Sequence, residues 1–367
     1  MTPEEHRIPM TESHSSRHAD QRPVAYWLLV CCAMIFAMVV LGGVTRLTGS
    51  GLSMVKWNPI FGVVPPLTHQ RWEKVFHQYQ QSPEYKDINV DMDLAGFKKI
   101  YWFEYAHRLL GRSIGLVFLL PFLYFLARKR IDRPLVPKLV LMFILGGLQG
   151  LLGWYMVKSG LVSRPHVSQY RLTAHLSTAL VIFGFILWVA LDLLFPRARR
   201  AFTPPPALRR FSLGVLGLLA LTIVAGGFVA GLKAGYAYNT FPLMDGHWVP
   251  QAIFMEHPLW RNFFENIATV QFDHRLLATL TFFSVIALWW TSRRYSLPRR
   301  LRLGYNLLLA MVCIQVSLGI STLLLHVPIP LASAHQGGAV LLLSLLVYVN
   351  HGLWERSPAA EAVPQPA

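Results

Sequence analysis

Eight stretches of this chain, roughly 25–44, 106–127, 139–157, 172–194, 211–231, 273–291, 304–325 and 333–352, are each long and apolar enough to cross a bilayer, a crossing that takes about 20 mainly apolar residues. No other feature narrows the fold as far. Inside lipid every backbone N–H and C=O must find a partner within the protein, so an apolar run of that length is a helix. The expected fold class is an all-α membrane protein with eight transmembrane helices. Composition agrees, because only 14% of the residues are charged against roughly 25% in soluble domains.

The placement of cations sets the orientation. The formal net charge is +16, yet Lys and Arg cluster in three short loops: Arg128, Lys129, Arg130, Arg133 and Lys138; Arg197, Arg199, Arg200, Arg209 and Arg210; Arg293, Arg294, Arg299, Arg300 and Arg302. The short loops at the opposite end hold Lys158 and Arg164, or no cation at all over 326–332. This positive-inside distribution argues against nucleic acid as the reason for the charge. It puts both termini in the cytoplasm and the long loops 45–103 and 232–270 outside. Cys31, Cys32 and Cys313 all lie in spans, so no structural disulfide is expected on the oxidising side. Residues 1–24, with His6, His14 and His18, lack the layout of a signal peptide and read as a disordered cytoplasmic tail; 356–367 read as a second. In the first long loop, Trp72, Phe76 and Tyr79 share one face of a helix expected over 68–80, which fits a helix lying on the membrane surface as a lid.

The chain also repeats itself. Glu104-Tyr105-Ala106-His107-Arg108 heads the second span and Gln271-Phe272-Asp273-His274-Arg275 the sixth, and both continue into Leu-Leu. Gly42-Gly43 is echoed by Gly226-Gly227, Gln149 and Gly153 by Gln315 and Gly319, and Thr173-Ala174-His175 by Ser333-Ala334-His335, at offsets of 184, 166 and 160 beside 167 for the first pair. With four spans per half, both halves enter the membrane in the same orientation, as parallel repeats about an axis along the membrane normal. The expected domains are 25–200 and 201–355, each a four-helix bundle.

An ionisable residue inside a span is costly and is by default a functional hypothesis. His107, His175, His274 and His335 sit at repeat-related positions near the outer ends of the even-numbered spans. Two imidazoles per half suit the axial positions of a haem iron gripped in a four-helix core. Arg108 and Arg275 follow their histidines and point about 100° away around the helix; each can reach haem propionates or snorkel to headgroups. Arg46 is a weaker propionate candidate. His69, His77, His166, His247, His257, His326 and His351 read as surface residues.

The halves differ at one chemically decisive place, Glu104 against Gln271, each one turn from its histidine. A di-iron carboxylate bundle would need more carboxylates than these. A di-haem b electron-transfer cytochrome would need haems at two depths, whereas the histidines offer one. A haem transporter would have no evident use for a carboxylate at only one of two sites. Glu104 could transfer protons, stabilise developing positive charge, or bond a neighbouring loop.

The stretch Gly42-Gly43-Val44-Thr45-Arg46-Leu47-Thr48-Gly49-Ser50-Gly51-Leu52-Ser53, the Glu104-x-x-His107-Arg108 motif, Tyr238-Asn239-Thr240-Phe241-Pro242-Leu243-Met244-Asp245-Gly246 and the four histidines together resemble the haem A synthase family, in its proteobacterial and mitochondrial branch, over roughly 25–355. The resemblance implies a membrane oxidoreductase that converts the C8 methyl of haem O to the formyl of haem A through a hydroxymethyl stage, for terminal oxidase biogenesis. It implies a permanent haem b on His274 and His335, with Arg275 beside it, and a substrate haem on His107 and His175, with Arg108 beside it and Glu104 as the essential acid. The bacterial inner membrane is the expected location, ahead of the mitochondrial one. Haem O synthase, oxidase assembly factors and a second copy of the chain are the partners it suggests. The cysteine pair that some relatives carry in the first outer loop is absent here.

Overall fold

The computed structural model describes residues 21–56, 63–160, 166–195 and 205–354. In chain order its helices are α1 (Arg22–Leu47), α2 (His69–Gln80), α3 (Pro83–Asp87), α4 (Leu94–Ala127), α5 (Val136–Gly160), α6 (Gln169–Leu194), α7 (Pro206–Gly231), α8 (Asn262–Glu265), α9 (Ile267–Ser292), α10 (Arg299–Leu324) and α11 (Ile329–Leu353). Eight of these, all but α2, α3 and α8, are long and apolar enough to span a membrane. There is no strand among the described residues. The tail histidines His6, His14 and His18, the cations Arg164, Arg197, Arg199 and Arg200, and 356–367 lie outside the described residues. Cys31, Cys32 and Cys313 are free thiols, the first two buried in α1.

The spanning helices pack as two rings of four. In the first, α1 touches α4 and α6, and α5 touches α4 and α6, so α4 and α6 stand at opposite corners. In the second, α7 and α10 each touch α9 and α11, which again occupy opposite corners. The rings join through α1 against α11, α6 against α7 and α6 against α11. Their shared apolar core runs from Leu28 and Ile35 through Ile186 and Ala190 to Leu346 and Val349. Two polar ties cross it towards the end that carries the long loops. Gln336 donates its amide to the Val39 carbonyl at 2.7 Å. Arg46, a propionate candidate in the sequence, sends Nη1 to the Ala230 carbonyl at 2.8 Å. That carbonyl ends α7, where a cation meets the negative end of the helix. Leu120, Phe143, Phe283 and Leu303 on the peripheral helices remain exposed, as lipid-facing side chains would.

His351 departs from the surface reading. It is buried, with Nε2 3.1 Å from Asp192 Oδ1 and its ring edge-on to Trp188, so it ties α11 to α6. A buried polar group needs such a partner, and the partner is 159 positions away, beyond the reach of any local pattern. His69, His77, His166, His247, His257 and His326 are exposed, as expected.

The largest difference from expectation lies in α4, which begins at Leu94 rather than near 106. Its 34 residues make a rod about 50 Å long, against roughly 30 Å of bilayer hydrocarbon. Asp93 starts it by accepting from the Gly96 N–H at 2.7 Å. Phe97, Ile100, Tyr101 and Tyr105 then form an apolar stripe at helical spacing, covered by Trp72 and Tyr79 of α2. Ring centroids are 4.9 Å apart for Trp72 and Tyr101 and 5.1 Å for Tyr79 and Phe97. The apolar face of α2 is therefore spent on protein, not laid on the membrane as its amphipathic pattern suggested.

This cap contains a buried carboxyl. Glu84 accepts from the Tyr79 hydroxyl, which in turn accepts from Asn89. Burial pushes Glu84 up from 4.5 to about 7; Tyr79 and Lys233 oppose the rise and Glu104 adds to it. A carboxyl that resists ionisation in the folded state costs stability as pH climbs from 4.5 to about 7. Below that window nothing is lost, and above it the penalty is complete, on the order of 3 kcal/mol. Amide exchange in α2 and α3, corrected for intrinsic rates, should be better protected at pH 5.5 than at pH 8, and Glu84→Gln should remove most of that difference. An equal pH dependence in the variant would place the sensitivity elsewhere.

Candidate functional site

The four histidines of the spans come from the opposite-corner helices: His107 on α4 and His175 on α6, His274 on α9 and His335 on α11. All are near the end of the bundle that carries the long loops. The remaining corners each present a glycine to an imidazole. A Cβ on Gly42 would lie 3.0 Å from His107 Cε1, on Gly153 2.9 Å from His175, on Gly226 3.0 Å from His274 and on Gly319 2.8 Å from His335. The glycines that repeat in the sequence are thus the floors on which the rings rest. Among the described residues no three His, Cys, Asp or Glu side chains converge as a site for a bare metal ion. Facing pairs of imidazoles across a bundle fit a flat macrocycle with iron at its centre instead.

Hydrogen bonds fix how the rings are held. His274 Nδ1 meets the Thr222 carbonyl at 3.1 Å and His335 Nδ1 the Gln315 carbonyl at 3.2 Å. Both contacts require an N–H at Nδ1, which leaves Nε2 as the lone-pair nitrogen for iron. The first ring is held less firmly. His175 Nδ1 lies 3.0 Å from the Gln149 side-chain nitrogen, which also donates to the His175 carbonyl at 2.7 Å. His107 Nδ1 is buried without a partner.

The Glu/Gln difference has a structural counterpart. Glu104 is buried, and its Oε2 accepts from Ser53 Oγ at 2.6 Å and from the Met54 N–H at 2.7 Å. Its Oε1 pairs with Arg108, which also donates to the Met54 carbonyl. The carboxylate therefore points at the loop rather than freely into the bundle, and it closes a clasp between α4 and residues 53–54. The second ring has the same clasp with polarity reversed. Gln271 donates its amide to the carbonyls of Ala234 and Ala237, while Arg275 sends Nη1 to Thr240 and Nη2 to Tyr238 carbonyls. Where the loop offers donors the sequence has Glu, and where it offers acceptors it has Gln.

Comparison with known proteins places the chain. The family profile described as COX15-CtaA, cytochrome oxidase assembly protein, matches residues 25–347. A protein of Nitrosospira multiformis named Heme A synthase is 55% identical over 345 residues, 94% of this chain and 97% of its own length. Heme A synthase COX15 of Bos taurus is 48% identical, covering 91% of this chain and 83% of its own. The protein of that name in Arabidopsis thaliana is 46% identical, covering 95% and 78%. The chain belongs to the COX15-CtaA family of cytochrome oxidase assembly proteins.

Proposed function

We propose that this chain is a haem A synthase, a membrane oxidoreductase that oxidises the C8 methyl group of haem O to the formyl group of haem A. The observation that carries this reading is a matched pair of histidine cradles of which only one has a carboxylate in its loop clasp. The names of the relatives agree with it. Four histidines within a few turns of the same end of the bundle give two sites at one depth, which disfavours an electron wire across the membrane.

His274 and His335 are assigned to a resident haem b and His107 and His175 to the substrate iron. The anchored Nδ1 atoms of the second ring support this, since a histidine whose N–H is held by a carbonyl is a pre-oriented and more basic ligand. The looser first ring suits a guest that must leave. Haem b, when bound, supplies one-electron redox chemistry. Glu104 is assigned as the acid of the reaction site. Its oxygens accept three donors, so its carboxyl is held in one place beside the first cradle. The two halves are read as a duplicated unit, with termini in the cytoplasm and both cradles towards the outer face of the inner membrane. Haem O is the substrate partner.

The glycine floors give a test of the cradle. Gly319→Ala places a methyl 2.8 Å from His335 Cε1, while alanine favours a helix by about 1 kcal/mol over glycine. The variant should accumulate normally but retain haem b poorly, read as the haem absorbance per protein after purification; full retention would mean that the imidazole has slack and does not ligate. The function itself is tested by expression in a host that makes haem O and no haem A. Extracted porphyrins should include one that has gained an oxygen and lost two hydrogens relative to haem O, and unchanged haem O throughout would refute the assignment.

A further inference from the structure

Beside the first cradle lies a cavity of about 340 Å³, bounded by α2, α4 and loop residues 54–56 and 64–66. Every charged residue lining it is a cation: Lys56, Arg71, Lys74, Arg108 and Arg112. Arg108 and Arg112 continue the Glu104 face of α4 at successive turns. The Arg108 side chain is largely buried; Nη2 is used by Glu104 and Met54, and Nη1 is buried with no partner. A buried guanidinium N–H without an acceptor marks the place of one. In the second ring Arg275 also buries an unpartnered N–H, at Nε, but its surroundings differ. Thr279 stands where the repeat would place Arg112, Arg275 is directed onto loop carbonyls, and the loop before α9 has no helix comparable to α2.

We propose that this cavity receives the two carboxylates of the substrate porphyrin, with α2 as its outer wall. The proposal rests on the reading that the first ring takes the substrate, and it deepens that reading. Guanidinium and ammonium groups bind carboxylates through short charge-assisted hydrogen bonds. A one-sign pocket with low-dielectric walls also draws an anionic guest towards it. The location has a chemical consequence. In a haem the C8 methyl sits on a pyrrole ring that carries a propionate, so one of the two methyls flanking the carboxylates is the one oxidised. Carboxylates held by Arg108 and Arg112 bring that edge of the macrocycle to the Glu104 clasp. The cavity thus narrows the choice to the two methyls beside the carboxylates.

The test uses purified holoprotein with haem b in its resident site, in phospholipid-free detergent, titrated with iron protoporphyrin IX or its dimethyl ester and followed by absorbance. Wild type should bind the diacid at least about tenfold tighter than the ester, as loss of charge-assisted bonds implies. Lys56→Gln/Arg71→Gln/Lys74→Gln should lose most of that preference with resident haem b unchanged. Should the triple variant fail to accumulate, Lys74→Gln alone should show a smaller loss in the same direction. No preference in wild type, or an undiminished one in the variants, would overturn the proposal. So would loss of co-purified anionic phospholipid from the variant with porphyrin preference intact, which would assign the cavity to a lipid headgroup. His107→Ala separates the two levels of the argument. If it leaves the titrated haem bound as in wild type, the substrate reading of the first ring fails; if it abolishes binding while the triple variant binds normally, only the cavity assignment fails.

Discussion

Glu104→Gln is expected to give a folded protein that retains haem b and makes haem A at a rate reduced by roughly 100-fold or more, the scale seen when one preorganised electrostatic group is removed from a reaction site. The substitution changes no volume, but it turns one acceptor oxygen into a donor. Ser53 Oγ, the Met54 N–H and the Arg108 guanidinium all aim hydrogens at Glu104, so whichever way the new amide turns, its NH2 opposes one of them. A buried donor left in that position costs about 1–3 kcal/mol, which the clasp relieves by releasing the loop. Arg108 is released with it, directly beside His107 in the chain. The converse change, Gln271→Glu, sets a carboxylate against the Ala234 and Ala237 carbonyls and should loosen the second loop without creating a second reaction site. Haem O and haem A quantified from membranes of the variant decide the point, and near-normal haem A in Glu104→Gln would remove Glu104 from the mechanism.

Much of the fold was legible because lipid permits so few backbone solutions. Each of the eight apolar runs became a spanning helix, with ends that moved outward by a few residues. The large exception, the start of α4, has a physical cause: residues 94–105 are polar on one side and aromatic on the other, and their partner is α2, which a span-by-span reading treats separately. The same blindness produced the membrane-surface reading of α2. An amphipathic stripe announces that something covers it but does not say whether that cover is lipid or protein. His351 was misread for a related reason, since its partner Asp192 belongs to the other half of the chain, as does the Ala230 carbonyl that Arg46 reaches.

The site was legible where the chain repeats. His107, His175, His274 and His335 stood out as ionisable residues inside apolar runs, and the matching glycines turned out to be the surfaces on which their rings lie. The glutamine pair Gln149 and Gln315 bonds the histidine carbonyls at the corresponding places. What the pattern did not reveal was direction. Glu104 shares a helical face with His107, yet it turns to the loop because Ser53 and Met54 offer it donors, a fact that depends on how residues 48–54 leave α1. Arg112 carried a signal that was missed: the spacing of 104, 108 and 112 puts all three on one stripe. Lys56, Arg71 and Lys74 carried none, because they reach the cavity only through the packing of loop residues 54–56 and α2 around α4.

The central claim is that two similar cradles do different work, the second holding a cofactor and the first a guest. Anchored Nδ1 atoms on His274 and His335, against an unpartnered Nδ1 on His107, predict unequal retention. His274→Ala or His335→Ala should therefore abolish tightly bound haem b, since each removes a histidine that would hold the iron, and ligand loss at a metal site typically costs more than the 10–100-fold seen for outer-shell partners. His107→Ala or His175→Ala should keep haem b and instead stop turnover. The most direct measurement is the porphyrin composition of the purified variants after expression with a haem O supply. The account predicts haem b alone in His107→Ala and no haem b in His274→Ala. Loss of haem b from His107→Ala, with its retention in His274→Ala, would contradict the account and exchange the roles of the two halves.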